Sequence, residues 1–170
     1  MKLAVMGYSG AGKSTLAQEL GRRYGCPVLH LDQVHFLPGW EERDWGEARA
    51  LVEDFLDRHD SWVIDGSYPS LGQRRRLEEA DRVLFLDYNR WTCLFHVLKR
   101  QMRYRGAVRP DMAEGCPERM DGEFLRWLLW EGRTARRRRQ HRDALAPYGE
   151  KTVIVKNRRQ LDRCLEELSC

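Results

Sequence analysis

The sequence predicts an α/β domain of three layers: a five-stranded parallel sheet with helices on both faces. Three observations predict it. Five short apolar runs, at residues 3–6, 28–31, 62–64, 83–86 and 152–155, are nearly continuous rather than alternating, as strands covered on both faces require. Helical patterns separate these runs, the arrangement that gives parallel pairing with crossovers on both faces. And 170 residues, 42% hydrophobic with six Trp, six Tyr and five Phe, suffice for one core, since a domain takes roughly 100–200 residues. That apolar content excludes a disordered chain.

Taken in order, the run at 3–6 leads into a helix over 13–24 that places Leu16, Ala17, Leu20 and Tyr24 on one face. The run at 28–31 follows, then a helix over 46–59 (Ala48, Leu51, Val52, Phe55, Leu56) and the run at 62–64. After the run at 83–86 come helices over 90–104 (Leu94, Phe95, Leu98, Met102) and 122–145. In the second of these, the helical spacing of Phe124, Trp127, Leu128, Leu129 and Trp130 predicts core packing. The run at 152–155 and a helix over 158–168 (Leu161, Cys164, Leu165, Leu168) end the chain. The expectation is one domain over 1–170. Its irregular stretch, about 105–120 with Gly106, Pro110, Gly115 and Pro117, has the length of a lid or binding loop.

No run reaches the roughly 18–20 apolar residues of a membrane span, and Gly7 interrupts the first run too early for a secretory leader. Five cysteines, an odd number without a C-x-x-C pair, argue against a disulfide framework or a zinc knuckle. A cytoplasmic location, as monomer or homodimer and with no membrane partner, is expected.

Directly after the first run stands Gly7-Tyr8-Ser9-Gly10-Ala11-Gly12-Lys13-Ser14-Thr15. This fits G-x-x-x-x-G-K-[ST], the P-loop, in its required place between strand and helix. The glycines let successive amides turn inward around a phosphate, and the following helix adds the positive end of its dipole. Lys13 is expected on the β- and γ-phosphates of ATP and Ser14 on Mg²⁺. Ligands of open α/β sheets lie beyond the carboxyl ends of the strands, where Asp32, Asp65 and Asp87 stand. Asp65 is expected on Mg²⁺ through water, and Asp32 beside an acceptor hydroxyl as proton acceptor or holder. Asp87 is expected to cap the next helix. His35, Phe36 and Trp40 follow Asp32 in a loop, where they would wall a planar or ring-shaped acceptor.

Of 30 basic residues only five are lysine, and residues 96–160 hold 17 basic against 8 acidic side chains. Arginine's planar fork suits phosphate oxygens, so this segment implies an anionic ligand. Residues 136–139 are four consecutive arginines that must spread around a helix. Arg133 and Arg137, at i and i+4, share a face and are expected to face phosphates. A nucleic-acid partner is the alternative weighed for this charge. It has less in its favour, because no helix-turn-helix, zinc finger or RNA-binding motif accompanies it.

The P-loop, Asp32 in Leu31-Asp32-Gln33-Val34-His35-Phe36-Leu37-Pro38-Gly39-Trp40, and Val63-Ile64-Asp65-Gly66-Ser67-Tyr68 together resemble the adenylate-kinase-like P-loop kinases. Arg103-Tyr104-Arg105-Gly106 and the stretch Arg109-Pro110-Asp111-Met112-Ala113-Glu114-Gly115-Cys116-Pro117-Glu118-Arg119 resemble a narrower branch, the DNA topology modulation protein (FlaR-type) family. The resemblance implies a P-loop NTPase fold with a lid, and an ATP- and Mg²⁺-dependent transfer of phosphate to a small acceptor, a nucleotide or nucleoside. It places Asp65 and Gly66 near metal and acceptor, and Arg100, Arg103, Arg133 and Arg137 around the phosphates and adenine. Adenylate kinases follow Asp-Gly with Phe-Pro-Arg. Here Ser67-Tyr68-Pro69 stands instead, and Arg76 is the expected substitute for gripping an acceptor phosphate. The branch name suggests the alternative, a nucleic-acid-binding regulator that uses ATP as a conformational signal.

Overall fold

The computed structural model describes residues 1–103, 112, 116 and 121–168. The expected lid at 105–120 therefore lies outside the described residues except at Met112 and Cys116. The chain runs β1 (Lys2–Gly7), α1 (Lys13–Tyr24), β2 (Val28–His30), α2 (Leu31–His35), then a small hairpin of β3 (Phe36–Leu37) and β4 (Glu41–Glu42). It continues through α3 (Trp45–Arg58), β5 (Trp62–Asp65), α4 (Gln73–Glu79), β6 (Arg82–Leu86), α5 (Arg90–Arg103), α6 (Gly122–Leu129), α7 (Ala135–Leu145), β7 (Thr152–Val155) and α8 (Arg158–Glu167).

The main sheet has the order β2-β5-β1-β6-β7, and all four pairings are parallel. This is the predicted α/β fold, with the strand that feeds the P-loop at its centre. Alternation along β1 divides the core. Leu3 and Val5 face one layer, where they meet Leu16, Ala17 and Leu20 of α1, Val97 of α5, Leu128 of α6 and Leu161 and Leu165 of α8. Ala4 and Met6 face the other, with Leu31 and Val34 of α2, Val52 and Leu56 of α3, Leu77 of α4 and Leu145 of α7.

The structure differs from the expectations in four places. The second strand stops at His30, and Leu31 and Asp32 already belong to α2. Helix α4 lies where the sequence pattern predicts no element. Asn89, not Asp87, caps α5, accepting from the amides of Trp91 and Thr92 at 3.0 and 2.9 Å. The helix expected over 122–145 breaks after Leu129 into a 3-10 turn, Glu131–Arg133, before Thr134 caps α7. Gly132 suits the break: a Cβ there would lie 3.0 Å from the Trp127 carbonyl oxygen, so any other residue would crowd the turn as it folds back. Trp130 at the break is 58% exposed rather than in the core. Cys26, Cys93, Cys116 and Cys164 are buried free thiols, and no helix among the described residues is long and apolar enough to cross a membrane.

Candidate active site

The P-loop owes its shape to three glycines with left-handed backbone: Gly7 (φ 141°), Gly10 (φ 75°) and Gly12 (φ 90°). At Gly7 a Cβ would sit 2.4 Å from the Leu86 carbonyl oxygen, and at Gly10 2.8 Å from that of Cys93. No side chain fits either place, so β6 and α5 press directly on the loop. Other side chains pin it. Ser67 Oγ accepts from the Gly7 amide at 3.1 Å and donates to its carbonyl at 3.3 Å. His96 Nδ1 donates to the Gly10 carbonyl at 3.1 Å, and Trp127 Nε1 donates to Ser9 Oγ at 3.3 Å. Lys13 Nζ turns back on the loop and donates to the Tyr8 carbonyl at 3.2 Å.

Gly12 is the N-cap of α1 and supplies no side-chain oxygen to its first amides. Helix N-termini without such an acceptor leave donors directed at an anion, so the loop fits the phosphates of ATP. A Mg²⁺ carried by phosphates needs only one or two protein oxygens, and Ser14, on the cavity wall, fits that need.

The loop opens on a cavity of about 1400 Å³ beyond the carboxyl ends of the strands. Of the expected residues, its walls hold Ser9, Gly10, Ala11, Gly12, Lys13, Ser14, Thr15, Asp32, His35, Trp40, Arg100 and Arg103. Gly7 and Tyr8 lie just behind, Tyr8 buried at 8% exposure. Asp65 is buried off the wall, and His30 Nδ1 holds its Oδ2 at 2.7 Å. Gly66 (φ 134°) is likewise buried, at a point where a Cβ would strike the Leu31 side chain at 2.8 Å.

Three arginines depart from expectation. Arg76 is wholly enclosed; it donates to the carbonyls of Leu71 (2.9 Å), Gly66 (3.3 Å) and Tyr68 (2.9 Å). It clamps the turn after β5 from inside and does not reach the cavity. Burial lowers its pKa to about 10, so it remains charged at neutral pH. Arg133 and Arg137 do not share a helix face, because the break puts Arg133 in the 3-10 turn. Arg133 stacks 4.1 Å over the Tyr8 ring and contacts Cys93 Sγ at 3.0 Å. Arg137 stacks 4.3 Å over Trp127. Both brace aromatic neighbours of the P-loop, whereas Arg136, Arg138 and Arg139 are exposed.

The β2–β5 side of the cavity contains residues that the sequence alone does not mark. Tyr68 donates to Asp32 Oδ1 at 2.6 Å. Its own pKa is pushed far up by burial and then by Asp32, so the hydroxyl keeps its proton and orients that carboxyl group. His35 is buried in an aromatic cluster, its ring 4.4 Å from Trp45, 4.6 Å from Phe36 and 5.0 Å from Tyr68. Trp40 stands edge-on to Phe36 at 5.3 Å and has a left-handed φ of 68°, a conformation a bulky residue adopts only under constraint. Glu42, on β4, completes this wall. Only Tyr68's place directly after Asp-Gly-Ser was a cue in the sequence; Glu42 offered none.

A P-loop at the centre of a parallel sheet, opening on a cleft at the strands' carboxyl ends, defines the fold of the P-loop kinases. No family model matches the chain, and no curated protein matches it. Solved structures do. Deoxyadenosine kinase from M. mycoides with bound dATP aligns over 100% of both chains at 14% identity and a TM-score of 0.57. Shikimate kinase from Acinetobacter baumannii in complex with shikimate aligns over 98% of this chain and 90% of its own, at 18% identity and a TM-score of 0.55. TT1252 from Thermus thermophilus aligns over 99% and 95%, at 17% identity and a TM-score of 0.53. At these identities the likeness is one of fold.

Proposed function

We propose that the chain is an ATP-dependent phosphotransferase acting on a small hydroxyl-bearing acceptor. The observation that carries this is the P-loop itself: three left-handed glycines, an α1 start without a side-chain cap, and Lys13 folded over the loop, all facing a cleft large enough for nucleotide and acceptor together. Two solved structures of the same fold are named as kinases, one of deoxyadenosine and one of shikimate.

In this reading the loop amides and Lys13 hold the β- and γ-phosphates, and Arg100 and Arg103 on α5 neutralise charge from above. Ser14 would hold a Mg²⁺ brought in with the phosphates, and Asp65, buried and held by His30, would reach it only through water; the ion would supply further charge neutralisation. Asp32, aimed by Tyr68, takes the proton of the acceptor hydroxyl. The acceptor oxygen bonds to the γ-phosphorus as the bond to the β–γ bridging oxygen breaks, and ADP leaves. Such chemistry rests on positioning and charge neutralisation. Arg133 and Arg137 act through Tyr8 and Trp127. The Arg-Pro-Asp-Met stretch is the sequence basis for placing the chain in the FlaR-type branch. The nucleic-acid regulator reading rests on the basic surplus of residues 96–160 and, among the described residues, on the exposed arginines of α7.

The test is acceptor-dependent ADP release with Lys13→Ala as control. We expect turnover to fall at least about 1000-fold in the variant with its circular dichroism unchanged, the scale of a lost group that stabilises transition-state charge. Normal turnover by Lys13→Ala would overturn the assignment.

A further inference from the structure

The lysines and arginines of the cleft all stand on one side of it, and their placement follows the topology. On the β6–β7 side of the P-loop its wall carries Lys99, Arg100 and Arg103 from α5 and Lys156 and Arg158 from the segment entering α8, together with Asp121, Glu123 and Glu131 around α6. On the β2–β5 side the described wall residues are Asp32, His35, Phe36, Trp40, Glu42, Tyr68 and Met112, with no lysine or arginine among them. Among the described residues, two arginines close to these in sequence are occupied elsewhere. Arg76 is buried on three carbonyls, and Arg43 Nε donates to the Val34 carbonyl at 2.8 Å.

The polar groups of this side are acceptors. Asp32 and Glu42 bring carboxyl oxygens, while the one hydroxyl, Tyr68, is spent on Asp32. His35 has 5% side-chain exposure, its Nε2 faces Glu42 Oε1 at 3.7 Å, and its Nδ1 is buried without a hydrogen-bond partner. That ring nitrogen is an unspent polar atom beside the two carboxyl groups. Asp32, half-buried, calls for donors, and Glu42, 64% exposed, adds negative charge at the rim. Around them, Phe36, Trp40 and Tyr68 offer ring faces and edges suited to a flat molecule. A phosphate or carboxylate has no donor to give and would meet like charge in a partly desolvated place.

We propose that this subsite selects an uncharged or cationic, donor-rich acceptor carrying a ring, with a nucleoside as the representative, and rejects nucleoside monophosphates and other anionic acceptors. This rests on the phosphotransferase reading only for what happens after binding. The specificity-determining residues are Asp32, Glu42 and His35.

The experiment measures calorimetric binding of matched pairs, adenosine against AMP and cytidine against CMP, to protein saturated with Mg²⁺ and a non-hydrolysable ATP analogue. We expect at least one nucleoside to bind tenfold or more tightly than its own monophosphate. Glu42→Gln should narrow that ratio severalfold, and Glu42→Lys should reverse it. Glu42 is 64% exposed, so both variants should fold. A monophosphate binding as well as its nucleoside overturns the proposal, as does a ratio indifferent to both substitutions, or binding of neither class. Turnover with ATP is measured separately. A protein that binds nucleosides selectively without releasing ADP would sink the transferase assignment and leave the subsite's selectivity standing.

Discussion

Arg76 shows how much a single side chain can carry. Its guanidinium serves three carbonyls in the turn that connects β5 to α4. Removing one partner of a buried charged hydrogen-bond cluster costs about 3–5 kcal/mol, and about 1 kcal/mol moves the melting point of a chain this long by roughly 2–4 °C. Arg76→Met, which keeps volume but not donors, should therefore lower the melting temperature by about 10 °C in a thermal unfolding scan, with nucleotide affinity retained well below it. A loss of acceptor affinity with unchanged melting would return Arg76 to the role its sequence suggests. Nothing local distinguishes Arg76 from Arg74 and Arg75. Its burial depends on α4, which carries too few apolar residues to show a periodic face. Asp32 and the P-loop were legible because their chemistry needs particular residues at fixed spacing. Glu42 was not, because its meaning comes from a hairpin of two-residue strands.

At the scale of elements, α3 and α4 are joined through Arg75. Its guanidinium meets Glu53, Asp57 and Glu79, each at 2.6 Å. At one-third exposure the network is screened by solvent, and Arg75→Ala should cost about 1 kcal/mol or less. The deficit should shrink in molar salt, which a pair of melting curves at low and high ionic strength would show. Helix α7 makes a different statement. His141 packs against Tyr8 and Phe85, with ring centroids 5.7 and 5.2 Å apart. Burial, then the charges of Arg137 and Lys13, lower its pKa from 6.5. The unfolded chain thus binds a proton below pH 6.5 that the folded protein refuses, so stability is full above that value and falls as the pH drops beneath it. His141→Phe should flatten the decline in melting temperature between pH 7.5 and 5.5, and an unchanged slope would show that other groups govern it. The break before α7 could not be read from periodicity, since the apolar spacing runs on to Trp130. It depends on how closely Gly132 approaches Trp127.

For the molecule as a whole, strand count, order of elements and parallel character were all present in the five apolar runs, because two-sided burial leaves a signature that survives without tertiary knowledge. The cleft's division was not, since it is assembled from segments far apart in the chain. Asp32, Glu42 and Tyr68 converge from three segments on one side of β1, whereas the cations of residues 99–103 and 156–158 gather on the other, with Asp121, Glu123 and Glu131 beside them. Net charge blurs this, because the basic surplus of the second half conceals an acidic pole within the same cleft.

The glycine that begins α1 has one more consequence. A helix that brings no oxygen of its own to its first turn is least comfortable when nothing else does, so the scaffold and its ligand share a single equilibrium. Anything that seats oxygens there should toughen the protein against heat, by about 2.7 kcal/mol at a hundred times its dissociation constant. A shield of that kind should appear with Mg²⁺–ATP, weaken with inorganic phosphate, and vanish in Gly12→Asp, whose side chain strains the left-handed turn and whose carboxylate repels any anion that approaches.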